Sequence, residues 1–253
     1  MDHDLEGLED ISEIQGKPQR RVFFIPLLLL VFVVVAVVTF ASSQVFDVTN
    51  IEVSGNRYLS DKEIRLLVDI SPGQNIFLAP ISTISKSMQK VPRIADVSIT
   101  RRLPNTLEVT VIEKRAVAYI AYAGYFIEVD GFGEAISVAE LIQDYDIPII
   151  SGIDVTYVSI GDAIEPSEGV KNAAYISELL SSSGVSNLSE IVFKDVRDIS
   201  LMTSDGIKIL LGSLKGIESR VSLISPLLAS TRERSQKPKR IDVRVESKPV
   251  FIY

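Results

Sequence analysis

The chain has 253 residues, 46% of them apolar, with 33 acidic residues against 26 Lys and Arg and a net charge of -7. That is room for one membrane anchor and about two small domains of roughly 100 to 150 residues each. The absence of Cys excludes a disulfide scaffold, a thiolate metal site and a cysteine nucleophile, the single His3 removes imidazole chemistry from any folded domain, and the acid excess argues against general nucleic-acid binding.

Residues 1–21 are acidic up to Glu13 and lack apolar periodicity, which reads as a disordered tail or a docking tail for a cytoplasmic protein. Residues 22–41 form an uncharged run containing seven Val, four Leu and four Phe. As a helix it reaches about 30 Å, the thickness of a bilayer's hydrocarbon core. Pro26 lies close enough to its start to leave the helix intact. Ala41-Ser42-Ser43 would suit a signal peptidase, but the run exceeds an ordinary signal-peptide core of about 7 to 15 residues, so an uncleaved anchor is expected. Lys17, Arg20 and Arg21 precede the span, and the first positive charge after it is Arg57, which predicts a cytoplasmic N-terminus and an extracytoplasmic C-terminus.

The segment 46–114 alternates strand and helix signals. Val48–Val53 is β-branched and ends at the turn cluster Ser54-Gly55-Asn56. Ser60-Asp61-Lys62-Glu63 is a capping box ahead of Ile64, Leu67 and Val68 on one helical face. Ile81, Ile84, Met88 and Val91 mark a second amphipathic helix closed by Pro92. Ala95, Val97 and Ile99, then Leu107, Val109 and Val111, alternate with polar residues on either side of Leu103-Pro104-Asn105. The expected order is β-α-α-β-β.

The segment 115–253 is richer in strands. Val117–Tyr122 and Tyr125–Val129 flank Ala123-Gly124 as a hairpin, and Asp130-Gly131-Phe132-Gly133 makes the next turn. Ile191–Phe193, Ile199–Met202 and Ile207–Leu211 are further strands. One helix is expected after Pro166-Ser167 and another after Ser213, with Leu214, Ile217, Val221, Ile224 and Leu228 on one stripe and Pro226 kinking or ending it near Ser225. Ile241, Val243 and Val245, alternating with Asp242, Arg244 and Glu246, predict a terminal strand. The fold class is α+β: a single-pass anchor, a small β-α-α-β-β domain and a mixed, strand-rich β domain.

No constellation for catalysis emerges. Ser87-Met88-Gln89-Lys90 matches the S-x-x-K pattern of serine acyl-enzymes without its companion motifs, and Met88 belongs to an apolar stripe, so a solvated helix face is the better reading. Asp130-Gly131 and Asp205-Gly206 are turn dipeptides, without calcium-loop spacing. Arg101 and Arg102 read as solvated charges closing a strand, with an anionic head group as the alternative. The basic run Arg232–Arg240 either faces anionic lipid or polymer or forms a loop before the last strand. No enzyme activity, cofactor, metal or small-molecule substrate is expected.

The stretch Arg101-Arg102-Leu103-Pro104-Asn105-Thr106-Leu107, continuing through Val109, Val111, Glu113, Arg115 and Ala118, resembles the pattern R-x-x-P-x-T-L-x-[IV]-x-V-x-E-x-R-x-P-x-A of the bacterial division family FtsQ/DivIB. Val53-Ser54-Gly55-Asn56, Val129-Asp130 with Gly133, Asp205-Gly206, Leu211-Gly212 and Ile241-Asp242-Val243-Arg244 support it. Ala116 departs from the usual Pro, and Val245 stands where related chains often carry a partner-contacting Tyr. The resemblance implies a cytoplasmic tail, one span, a polypeptide-transport-associated (POTRA) domain at 46–114 and a β domain at 115–253. It further implies a non-enzymatic scaffold at the division septum that binds FtsB (DivIC) and FtsL and, through them, the septal peptidoglycan synthase. POTRA modules also serve protein export, which is the alternative reading, although no series of lipid-facing barrel strands follows here.

A last strand with no successor is expected to leave backbone groups on its outer side that can receive a partner's strand, the alternative being that another strand or loop covers this edge. The expected contact residues are Arg244, Glu246, Ser247, Phe251 and Tyr253.

Overall fold

The computed structural model describes residues 24–253 apart from 72, 143 and 233–235. The acidic tail, Lys17, Arg20, Arg21 and residues 233–235 of the basic run lie outside the described residues, while Lys237 Nζ of that run pairs with Asp205 Oδ2 at 3.0 Å. Helix α1, Phe24–Ala41, has 18 residues, no charge and no buried side chain. Its length and composition are those of a membrane-crossing helix. It passes directly into a 3-10 turn at Gln44–Phe46.

The first folded unit after α1 is a three-stranded sheet, β1 (Asn50–Ser54), β2 (Ile94–Arg102) and β3 (Thr106–Glu113), covered by helices α2 (Asp61–Val68) and α3 (Ile81–Met88). Strand β3 is central, parallel to β1 and antiparallel to β2. The capping box forms: Ser60 N–H donates to Glu63 Oε2 at 2.8 Å, and Glu63 N–H donates to Ser60 Oγ at 3.3 Å. Ile64, Val68, Ile84 and Met88 pack on Val97, Ile99, Val109 and Val111, the apolar halves of the two alternating strands. Helix α3 ends at Met88, before Val91, whose N–H donates to the Met88 carbonyl at 3.0 Å in the turn that leads to Pro92. Gly55 has φ +80°, and a Cβ there would stand 2.3 Å from the Val111 carbonyl oxygen, so this turn requires glycine twice over.

The second unit is a nine-stranded mixed sheet in the order β12-β11-β10-β9-β8-β7-β4-β5-β6. Its strands are β4 (Ala118–Tyr122), β5 (Tyr125–Val129), β6 (Ala135–Ala139), β7 (Ile149–Ser151), β8 (Leu188–Asp195), β9 (Asp198–Thr203), β10 (Lys208–Gly212), β11 (Arg240–Asp242) and β12 (Val250–Ile252). Ala123 and Gly124 both take positive φ, which gives the hairpin its primed turn. Helices α4 (Ser167–Ser182) and α5 (Ile217–Arg232) supply Val170, Ile176, Leu180, Val221 and Ile224 to a core shared with Ile191, Leu201, Ile209 and Ile241.

Two expectations are corrected. Helix α5 begins at Ile217 and runs through Pro226 to Arg232. The packing of Leu227 and Leu228 on the core, with Thr231 buried one turn later, outweighs the hydrogen bond that proline removes. The terminal strand does not extend from Ile241 to Val245. Strand β11 stops at Asp242, the chain turns, and Val245 is 61% exposed.

The two units meet at a polar junction. Arg93, buried just before β2, pairs with the buried Glu128 of β5 and donates to Ser137 Oγ of β6 at 2.7 Å. Ser137 Oγ donates in turn to Glu128 Oε2 at 2.7 Å, and the Tyr58 ring lies 4.7 Å from the guanidinium carbon. Lys114 Nζ bridges Glu134 Oε2 at 2.6 Å and Asp130 Oδ2 at 3.3 Å. Glu113, two residues after Val111 in the motif, accepts from the N–H groups of Arg57, Tyr58 and Leu59 at 3.0, 2.9 and 3.0 Å and ties down the loop that carries Tyr58.

Candidate partner-binding edge

Strand β10 sets the platform for the C-terminal edge. Parallel pairing places Ile209 opposite Ile241, and the N–H of Val243 donates to the Leu210 carbonyl at 3.1 Å, so Ile241 and Val243 are both buried. After Val243 the chain turns through residues 244–247, and β12 returns antiparallel to β11 with Phe251 opposite Ile241. Among the described strands, the sheet therefore ends on this side with β12 and not with the strand that begins at Ile241. Strand β12 is three residues long, about 10 Å of edge.

The expected contact residues fall into three environments. Arg244 folds back on Asp242: its Nε donates to the two carboxylate oxygens at 3.0 and 3.1 Å, Nη2 donates at 2.6 Å, and the Arg244 N–H adds 3.1 Å. The guanidinium hydrogen bonds, aided by that N–H and by charge, hold the Asp242 carboxyl below its usual range despite partial burial. Gly212, at φ +75°, makes room for the Arg244 stem, since a Cβ there would lie 2.9 Å from Arg244 Cγ. Glu246 and Ser247 are exposed in the turn. Phe251 is half-buried against the core of the β domain, while Tyr253 remains 45% exposed.

The alternation of β12 places Phe251 inward and Val250 and Ile252 outward, at 46% and 43% exposure. Neither Val250 nor Ile252 is among the contact residues expected from the sequence, and Val245, expected on a buried strand face, is exposed as well. A three-residue strand is too short to show periodicity, and Val-Phe-Ile after Pro249 was its one signal.

The opposite edge of the sheet is occupied. At the start of β6, Ala135 N–H donates to the Asp162 carbonyl at 2.9 Å and its carbonyl accepts from Gly161 N–H at 2.7 Å, while Ser137 meets Arg93. Among the described residues, no group of three His, Cys, Asp or Glu could hold a metal ion. What the C-terminal edge can do chemically is hydrogen-bond an extended segment and bury its side chains.

Residues 46–114 match the FtsQ-type POTRA domain, and residues 118–244 match the C-terminal domain of the cell division proteins FtsQ/DivIB. The chain is 25% identical to cell division protein DivIB of Clostridium botulinum over 258 aligned positions, covering 99% of this chain and 98% of that one. It is 30% identical to cell division protein FtsQ of Syntrophotalea carbinolica, covering 68% of this chain and 64% of that one. A solved extracytoplasmic domain of DivIB from Geobacillus stearothermophilus is similar over 49% of this chain and 98% of its own, at 15% identity and a TM-score of 0.34. The POTRA match, the C-terminal match and the relatives spanning nearly the whole length converge: the chain belongs to the FtsQ/DivIB family of bacterial cell division proteins.

Proposed function

We propose that this protein is a non-enzymatic scaffold of the division machinery that captures an extended segment of an FtsB/DivIC homologue along β12, with FtsL in the same complex and the septal peptidoglycan synthase linked through them. The observation that carries the reading is the asymmetry of the nine-stranded sheet: one edge is closed by residues 161–164 and Arg93, and the other ends in a strand whose outward residues are Val250 and Ile252. An apolar, open edge is a pairing site unless something covers it. The charge difference across α1 supports a cytoplasmic N-terminus and a C-terminus outside, where a septal partner is reached. The family's role in division favours this over export, and no observation on the chain favours export.

The test uses the full chain in detergent and an immobilised FtsB/DivIC homologue. Ile252→Lys puts a charge on an already exposed position, so the fold is kept while affinity falls by about tenfold or more, the loss of one well-buried contact. Val138→Lys on β6, exposed at the opposite edge, should bind normally. Full affinity for the β12 variant would refute the assignment and move the interface elsewhere, first of all to the POTRA domain.

A further inference from the structure

The connection between α1 and the first sheet is a rigid joint. Ser42 N–H donates to the Val38 carbonyl at 2.9 Å and Ser43 N–H to the Phe40 carbonyl at 3.0 Å, so the helix tightens straight into the 3-10 turn. A loop from the far side of the domain closes on this joint. Asn75 Nδ2 donates to the Ala41 carbonyl at 2.7 Å, which satisfies one of the acceptors left open at the helix C-terminus. Ile76 N–H donates to the Phe46 carbonyl at 2.8 Å, and Val48 N–H to the Gln74 carbonyl at 2.9 Å. The rings of Phe40, Phe46 and Phe77 form a chain with centroids 5.3 and 5.2 Å apart, running from the span to the loop.

The loop is held in shape from behind. Arg101 Nε donates to the Ile76 carbonyl at 2.7 Å, and Nη2 donates to the Ala79 carbonyl at 2.9 Å. Phe77 N–H returns to Asn75 Oδ1 at 3.0 Å, and Leu78 N–H to the Asn75 carbonyl at 3.0 Å. Arg101 is exposed, as expected of a solvated charge, but it also spans two carbonyls, and the two residues between them, Phe77 and Leu78, project outward at 45% and 77% exposure. From Ser71 to Pro80 there is no charged residue, and Val45 on the 3-10 turn is 57% exposed.

We infer that Phe77 and Leu78, with Val45, enter the interfacial layer of the extracytoplasmic leaflet, so that the POTRA domain is bound to the lipid surface as well as tethered by α1. The uncharged run 22–41 reaches about 30 Å as a helix, matching the roughly 30 Å hydrocarbon core, so side chains locked against its last turn, which ends at Ala41, fall near the hydrocarbon boundary. Aromatic and aliphatic residues at that depth are favourable where charges would not be. The joint then fixes the domain's tilt on the membrane, since neither the turn nor the loop can move without breaking the Asn75 and Arg101 bonds. This inference rests on α1 being the membrane anchor.

The chain contains no Trp, so single Trp variants of the full-length protein report one position each. Leu78→Trp, Val35→Trp within α1 and Val196→Trp in the β8–β9 turn are reconstituted in phosphatidylcholine vesicles with acyl chains brominated near the ester end, with no other protein present. Emission from Leu78→Trp should fall roughly twofold against unbrominated vesicles and shift to the blue, as expected for a side chain within about 5–10 Å of the headgroup boundary, and Val196→Trp should not change. Quenching of Val35→Trp while Leu78→Trp behaves like Val196→Trp would overturn the inference and leave the anchor standing. No quenching of Val35→Trp would overturn the anchor, and this inference with it. Leu78 is exposed, and circular dichroism matching the parent chain confirms that the variant reports on a folded domain.

Discussion

Removing the Arg93 guanidinium should uncouple the POTRA domain from the β domain, and the cost can be worked from its surroundings. Arg93 and Glu128 are 8% and 6% exposed, and they lie on different domains. Arg93→Met keeps the aliphatic stem under Tyr58 but leaves the Glu128 carboxylate buried with Ser137 as its remaining side-chain partner. Breaking one member of such a pair costs about 3–5 kcal/mol, because the stranded charge keeps its desolvation penalty and loses its compensation. At roughly 2–4 °C per kcal/mol for a domain of this size, the melting temperature should drop by about 6–20 °C. The double variant Arg93→Met, Glu128→Leu removes both charges and should recover most of that loss, since an apolar replacement of a buried pair is often nearly neutral. Thermal unfolding of the full chain in detergent, followed by circular dichroism, gives all four corners of the cycle. An Arg93→Met variant within ~0.5 kcal/mol of the parent would refute the reasoning, because a pair worth so little is solvated and the junction is then open in solution.

Leu107→Asp places a charge at a fully buried position of the central strand β3 and should cost more than about 4 kcal/mol, unfolding the POTRA domain while the β-domain signal persists in a denaturant titration. Asp242 has a depressed pKa in the fold, so its contribution is present above the unfolded value near 3.9 and is lost as pH falls through the lower folded value. Asp242→Asn should therefore reduce stability at neutral pH and flatten the loss below about pH 4, measured as melting temperature against pH. Ile252→Lys and Arg93→Met should be additive within about 0.5 kcal/mol in the same melting experiment, because β12 and β5 are seven strand spacings apart, roughly 34 Å.

How far the fold was legible depended on how much of each signal was local. The Ser60 capping box, the alternations around Val97 and Val109, and the Ala123-Gly124 hairpin are each decided by residues within a few positions of one another, and each formed as expected. Strand β7 is the opposite case. Its Ile149–Ser151 pairs in parallel with β4 and β8, so its identity as a strand comes from neighbours about 30 and 40 residues away. Pro226 does not end its helix, because its local cost is smaller than the burial of the residues around it. Arg101 and Glu113 were visible as motif letters, yet their work is to gather backbone groups from loops distant in sequence: the carbonyls of Ile76 and Ala79 in one case, three amides of 57–59 in the other. At the candidate site, the alternation puts Asp242, Arg244 and Glu246 on one face of a strand, whereas β11 ends at Asp242 and a turn carries the other two. Phe251, expected as a contact residue near the chain end, packs instead on the core, and its neighbours Val250 and Ile252 face outward.

The shortness of β12 constrains how a partner could bind there. Backbone pairing along three residues gives about three hydrogen bonds at roughly 1 kcal/mol net each, near 3 kcal/mol, whereas a micromolar complex requires about 8 kcal/mol. Side chains must supply the remaining ~5 kcal/mol, which at about 25 cal/mol per Å2 corresponds to some 200 Å2 of apolar surface. Val250 and Ile252 are each already about half covered, so completing their burial cannot provide that area alone. The association entropy adds to the requirement. A bound segment long enough to be retained must therefore continue past the strand, over Tyr253 at one end and the exposed Val245 in the 244–247 turn at the other. On that path it meets the Arg244–Asp242 pair, whose exposed guanidinium has its charge already matched within the protein. Arg244 then contributes to choosing the partner, by hydrogen-bond geometry and repulsion of cations, more than to holding it.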